Sequence, residues 1–180
     1  MVTSLPVEAS LQYPIGNLVF VEPNPALRRT WIEHYREAPG LLRRAVDGLD
    51  SAQLQTPYRP GGWTVAQVVH HMAEMDASAY TRLKFAMTED APTVAAAKQA
   101  LWAEVPDSRT STIEHSLALF EAVRVRWVDA WEALREEDFK RQWKHYRLGL
   151  VTLDHLLQQY AWHARHHTAH ITGLRARMGW

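Results

Sequence analysis

The run WHARHHTAH, residues 162–170, sets His163, His166, His167 and His170 within eight positions of one another. Imidazole titrates near neutrality and serves as acid, base or metal ligand. The chain has ten His and no Cys. Thiolate ligands, a Cys nucleophile and disulfides are therefore excluded, and imidazoles with carboxylates must carry any metal or proton chemistry. A helix advances about 100° per residue, so each His can be placed against the apolar stripe of its own helix. With His163 at zero, Leu153, Leu156, Tyr160, Ile171, Leu174 and Met178 fall in an arc of about 20–80°. His167 lies near 40°, inside that arc, and His163 at its edge. His170, at about −20°, and His166, at about −60°, fall outside it.

A second pair, His70-His71, sits in VAQVVHHMAE. The apolar residues Val65, Val68, Met72, Met75 and Leu83 cluster about 100° from His71, which places His71 on the shoulder of the stripe and His70 on the solvent side. The inward set is thus His71, His163 and His167. The last two are spaced i, i+4, which stacks their rings on one face. Three neutral imidazoles suit a borderline divalent cation such as zinc, and three protein ligands leave positions open for water. An ion held this way lowers the pKa of its water toward neutrality. The competing reading is that these are hydrogen-bonded core histidines, since buried polar groups are usually simply satisfied. HxxxH without the Glu of the zincin motif is a weak signal alone.

His170 and Glu74 are the secondary candidates. His170 could act as an acid–base group or line the rim. Glu74, one turn beyond His71, could accept an imidazole N–H or act as a general base, though a solvated helix charge is the simpler reading. Lys144 and Arg147 read as surface charge. Trp31, Trp63, Trp127, Trp131 and Trp162 read as core and loop anchors. The sequence has no P-loop, GxGxxG or GxSxG.

The elements that must position these residues are helical. Asn24-Pro25 opens a first helix to about residue 48, which Pro39 should kink or split. After the break TPYRPGGW, the capping box Thr64–Gln67 opens a second helix to about Met87. Residues 88–110 form a long connection with a short helical piece near 98–102. Ser111–Glu114 reads as a capping box for a third helix to about Leu134. Residues 140–151 could form a short hairpin, and Thr152 caps a fourth helix that Gly179 stops. Residues 1–24 read as an extended N-terminal arm. The expected fold is all-α, a four-helix bundle, as one domain over 1–180.

Twenty Lys+Arg balance twenty Asp+Glu over 180 residues, and 47% of residues are apolar. That balance argues against disorder and against a grip on nucleic acid by bulk charge. No apolar run approaches a membrane span, and the N-terminal residues lack the features of a signal peptide, so a cytoplasmic location is expected.

At YPIG (13–16), TPYRPGGWTVAQVVHHMAE (56–74), SLALFEAVRVRW (116–127), WHARHHTAHI (162–171) and RMGW (177–180), the sequence resembles the DinB-like superfamily, and within it the YfiT-type metal-dependent hydrolases. The resemblance implies an up-down-down-up four-helix bundle with a long crossover, often a homodimer. It also implies a divalent metal, zinc or alternatively nickel, held by His71, His163 and His167. A small-molecule substrate, with neither nucleic acid nor membrane as partner, goes with that reading. Relatives also include bacillithiol-type S-transferases, so a low-molecular-weight thiol is the alternative co-substrate, with detoxification as the role. A non-catalytic metal-binding or dimerisation bundle is the third reading. Ala164 and Arg165 depart from close relatives, which can carry more polar or His residues there. The ligands remain, while the rim and the substrate can differ.

Overall fold

The computed structural model describes residues 11–95 and 97–180, so the part of the N-terminal arm before residue 11 lies outside the described residues. Four long helices carry the fold: α1 (Pro25–Val46), α3 (Val65–Thr88), α6 (Ile113–Glu132) and α7 (Leu153–Met178). Short helices α2 (Ser51–Leu54), α4 (Gln99–Trp102) and α5 (Asp107–Thr110) lie in the connections. A hairpin of β1 (Gln142–His145) and β2 (Gly149–Thr152), paired from Gln142↔Thr152 to His145↔Gly149, precedes α7.

Named contacts fix the helix directions. Arg28 meets Asp154 and Arg175 meets the carbonyl of Ala45, so α1 and α7 run parallel. Arg36 meets Glu132 while Arg43 meets Glu121, so α6 opposes α1. His70 meets Ser116 and Asp76 meets Arg124, so α3 runs with α6. The order is up-down-down-up, and the parallel α3–α6 pair is what demands the long crossover through residues 89–112.

Local sequence explains the ends. Asn24 Oδ1 accepts from Leu27 N, with Pro25 at the first helical position. The Thr64–Gln67 capping box forms in both directions. Thr152 caps α7, and Gly179 closes it at φ 71°, a left-handed conformation that costs Gly least. Three expectations change. Helix α1 is not split at Pro39, because the helix needs only to forgo one hydrogen bond there while its buried face holds Tyr35, Ala38 and Leu42 in register. The cap of α6 is Thr112, which accepts from Glu114 N, since Ser111 instead ends α5. The N-terminal arm is not wholly extended: Leu11 and Gln12 are helical, and YPIG turns, with Gly16 N donating to Tyr13 O at 2.9 Å.

The core has two apolar ends. One is aromatic, built on Tyr35, Trp127, Trp131 and Trp143; the other is aliphatic, built on Leu42, Val65, Val68 and Met72 with Phe120. The ion pair Asp76–Arg124, 0% and 1% exposed at the side chain, is buried within the bundle.

Candidate metal centre

His71 comes from α3 and His163 and His167 from α7, which cross antiparallel. Their facing nitrogens, His71 Nε2 and His163 Nε2, lie 3.2 Å apart. The ring of His167 is centred 4.6 Å from that of His71 and 4.5 Å from that of His163. One ligand-capable nitrogen from each of the three falls within 4.8 Å of the others. The sequence-selected triad is therefore brought together.

The triad sits in a built environment. The turn YRPGGW folds back on itself, with Tyr58 N donating to Trp63 O at 3.0 Å and Gly62 N to Arg59 O at 2.9 Å. A Cβ on Gly62 would come within 3.0 Å of the Tyr58 ring and 3.2 Å of the Arg59 carbonyl, so the turn closes this tightly only with Gly. It thereby places Trp63 4.5 Å from the His71 ring and stacks Tyr58 on His170 at 3.9 Å. Tyr160, one turn before His163, packs 5.2 Å from its ring. A cavity of about 480 Å³ opens beside His163 and His167, walled by Tyr13, Tyr58, Trp63 and Trp162.

Electrostatics keep the rings neutral. Burial pushes His71 down to about 3, with the neighbouring His166 and His170 adding to the effect. Burial also holds His163 and His167 well below the usual imidazole range, His163 further lowered by His71 and Arg124 and His167 by His163 and His71. A neutral imidazole is the form that coordinates a cation.

The remaining histidines are where the helical wheel misleads. His170 and His166, placed outside the stripe, are both buried. The wheel measures one face of α7, whereas the N-terminal arm and the 58–63 turn cover a second. His170 Nε2 lies 3.0 Å from the carbonyl of Gln12, and His166 packs between Trp162 and Tyr13. His170 Nδ1 lies 3.3 Å from His167 Nδ1. Since Nε2 must carry the proton to donate to Gln12 O, His170 Nδ1 is an acceptor, and His167 Nδ1–H donates to it. That leaves His167 Nε2 with a free lone pair. His166, His167 and His170 also form a second close group of nitrogens. Burial lowers His166 and His170 to about 4 each, so they too are neutral at pH 7.

His70, expected on the solvent side, is 4% exposed, because the crossover and α6 cover that face of α3. Its Nδ1 lies 2.8 Å from Ser116 Oγ. Glu74 is half-buried and accepts from Ser108 Oγ at 3.3 Å; burial raises its carboxyl above the ordinary range. It is thus held by α5, and among the described hydrogen bonds it reaches none of the triad rings. Lys144 and Arg147 are exposed, as expected.

The buried ions Arg124 and Arg82 were missed by motif reading. A signal existed for Arg124: it falls on the spacing Leu117, Phe120, Arg124, Trp127, Trp131, which is the apolar stripe of α6. Elsewhere, a groove of about 620 Å³ between α1 and the end of α6 carries charges that satisfy one another, Arg36 with Glu33 and Glu132, and Arg28 with Glu136.

The donor set fits a divalent cation. Two nitrogens bound at about 2.0–2.1 Å to one four- to six-coordinate ion stand about 2.9–3.4 Å apart, and the His71–His163 separation lies in that range. His167 presents a lone pair with its other nitrogen already held, as metal-ligating imidazoles are.

Known proteins share this chain's sequence pattern and its fold. The DinB superfamily matches residues 34–171. A protein of Bacillus cereus (strain 03BB102), named "putative metal-dependent hydrolase", is 43% identical over 171 residues, covering 94% of this chain and 98% of that protein. A protein of Bacillus anthracis (strain A0248) with the same name matches to the same extent. YfiT from Bacillus subtilis, described as a probable metal-dependent hydrolase with an unusual four-helix bundle topology, superposes with a TM-score of 0.92 at 40% identity, covering 95% of this chain and 99% of YfiT. A further solved structure, a four-helix bundle protein 18% identical, superposes at a TM-score of 0.55 and shares the fold alone. By sequence, by fold and by the match across most of its length, the chain belongs to the DinB superfamily.

Proposed function

We propose that this chain is a metal-dependent hydrolase of a small molecule, with His71, His163 and His167 as the ligands of one divalent cation. The observation that carries the reading is the 3.2 Å approach of His71 Nε2 to His163 Nε2 from opposed helices, with His167 beside them and a cavity at the same place. The relatives' names support metal-dependent hydrolysis, while the ligand set rests on the geometry alone. Three neutral nitrogen donors favour zinc, with nickel the alternative, since imidazole suits both.

A cation held there supplies Lewis acidity, lowering the pKa of a water and polarising a substrate oxygen. The chain's own residues do the rest. Burial keeps the three rings unprotonated. His170 accepts the Nδ1 proton of His167 and so fixes which nitrogen faces the triad. With no carboxylate among the three, the centre would keep its full positive charge, which attracts anions and strengthens the acid. Trp63 and Tyr58 wall the cavity.

The test is hydrolysis of a panel of carboxylic esters, amides and phosphoesters by protein stripped with a chelator and by protein restored with zinc. Turnover that follows the metal and needs no thiol is expected. A strict requirement for a low-molecular-weight thiol would overturn the hydrolase reading in favour of thiol transfer.

A further inference from the structure

A second cavity, of about 650 Å³, lies between α3, α7, the crossover and the hairpin, and Arg82 is in its wall. Arg82 is only 7% exposed. Among the described residues it has no carboxylate partner, its Nε is buried without a hydrogen-bond acceptor, and Nη1 makes one long contact, 3.5 Å, to the Tyr160 hydroxyl. The Trp143 ring, 5.3 Å from the guanidinium carbon, covers it. The other buried arginines of the bundle differ: Arg28 is paired with Asp154, and Arg124 with Asp76. A guanidinium withdrawn from water with neither counter-charge nor full hydrogen bonding is costly, and a structural role does not explain that cost.

Among the described residues, the formal charges in the cavity wall are both positive, Arg82 and Lys98. Lys98 lines the same cavity, and so does His145, whose Nδ1 accepts from Arg147 N at 3.1 Å and Leu148 N at 3.2 Å. With Nδ1 so occupied, the neutral ring carries its proton on Nε2 and is a donor there. Burial raises Tyr160 to about 12, so its hydroxyl stays protonated. No Asp or Glu lines the cavity among the described residues.

The place of this cavity relates it to the triad. Gln99 is in the wall of both cavities, and Tyr160 touches Arg82 through its hydroxyl and His163 through its ring. One tyrosine side chain thus separates the unpaired guanidinium from the triad.

We propose that Arg82, with Lys98 and His145, binds an oxyanion, a carboxylate or a phosphate, carried by the substrate whose reacting group lies at the triad. The planar fork of Arg82 pairs with two oxygens of such a group, which is the geometry guanidinium favours. This rests on the hydrolase reading for its biological meaning, while the anion site itself stands on Arg82 alone. The substrate class is then a small acid with its anion about one tyrosine length from the bond that breaks.

Calorimetric titration of the full zinc-loaded chain with inorganic phosphate, and separately with butyrate, tests it. Saturable binding of at least one is expected, and which one binds more tightly names the anion. Arg82→Met should weaken that binding by roughly tenfold or more, as expected for loss of a charge-assisted pair. Arg82→Lys should recover part of it, and the chelator-stripped parent chain should keep the part of the binding that Arg82→Met removes, since the metal ligands are elsewhere. Helical circular dichroism confirms that each variant is folded. Binding unchanged in Arg82→Met, or an Arg82-dependent part that vanishes when the parent chain is stripped of metal, overturns the proposal. Absence of binding by both probes to the parent chain overturns it too. Loss of metal from the parent chain would instead defeat the hydrolase reading and leave the anion result standing.

Discussion

His71 Nε2 and His163 Nε2 face each other at 3.2 Å across two antiparallel helices, with no carboxylate in the close group they form with His167. Two neutral rings at that distance can share one proton or one cation. The third ring beside them, its outer nitrogen already engaged by His170, favours the cation.

Replacing a member of the triad separates ligand from core. His167→Ala should lower metal affinity by more than the roughly 10–100-fold typical of an outer-shell change, and abolish turnover. The helices should persist, because the packing of α7 rests on Leu153, Leu156, Leu157, Ile171 and Leu174, all 4% exposed or less. Metal content by mass spectrometry of the purified variant, with circular dichroism, checks both halves.

His170 acts through His167. His170→Ala removes the acceptor for His167 Nδ1–H and should weaken metal binding by roughly 10–100-fold. His170→Asn should restore part of the loss, since an amide oxygen can accept the same proton. A competitive zinc titration against a chromophoric chelator reads the difference. Equal affinity in all three proteins would show His170 to be packing alone.

Acid should loosen the metal-free protein. His71 is lowered to about 3 and His166 and His170 to about 4, against an ordinary value of 6.5. A lowered folded-state pKa means that the unfolded chain binds more protons between the two values. The stability these rings contribute is complete above pH 6.5 and is lost as pH falls toward 4. Asp76 works in the opposite sense: burial, partly offset by Arg124, raises it to about 6, so its protonation in the fold recovers some stability below that pH. With His163 and His167 shifted in the same direction, these imidazoles outweigh the raised carboxyls of Asp76 and Glu74, so stability falls between pH 7 and 5. Urea unfolding of chelator-treated protein at the two pH values measures it. Equal midpoints would contradict the neutral, buried state of these rings.

The Asp76–Arg124 pair should be costly to break and cheap to replace. Asp76→Leu alone strands a buried guanidinium, a loss of about 3–5 kcal/mol. Arg124 also donates to the Tyr160 carbonyl at 3.1 Å, so the stranded group disturbs the turn of α7 that precedes His163. The double variant Asp76→Leu/Arg124→Met should recover most of the stability. Thermal melts of the two variants and the parent, under one buffer, give the comparison.

The triad was legible because its signal is local and periodic. His163 and His167 stack at i, i+4 on a stripe that runs the length of α7, and His71 shares the shoulder of the α3 stripe. His70, His166 and His170 were misplaced because their burial comes from elsewhere in the chain: Ser116 on α6, Gln12 and Tyr13 in the arm, and Tyr58 in the glycine turn. A wheel drawn for one helix cannot register a covering segment from elsewhere in the chain. Pro39 signalled a break, yet the buried stripe of α1 outweighed the one hydrogen bond it lacks. Arg82 did carry a signal: seven residues after Met75 and three after Ala79, it falls on the same shoulder of the α3 stripe as His71, as Arg124 does on the stripe of α6.

X-ray absorption at the zinc edge of the reconstituted protein decides whether the three histidines hold one ion. The account predicts one ion per chain with three imidazole nitrogens at about 2.0–2.1 Å and one or more oxygens completing the shell. A bound ion whose shell lacks three imidazoles, or a chain that takes up no zinc at neutral pH, would contradict it.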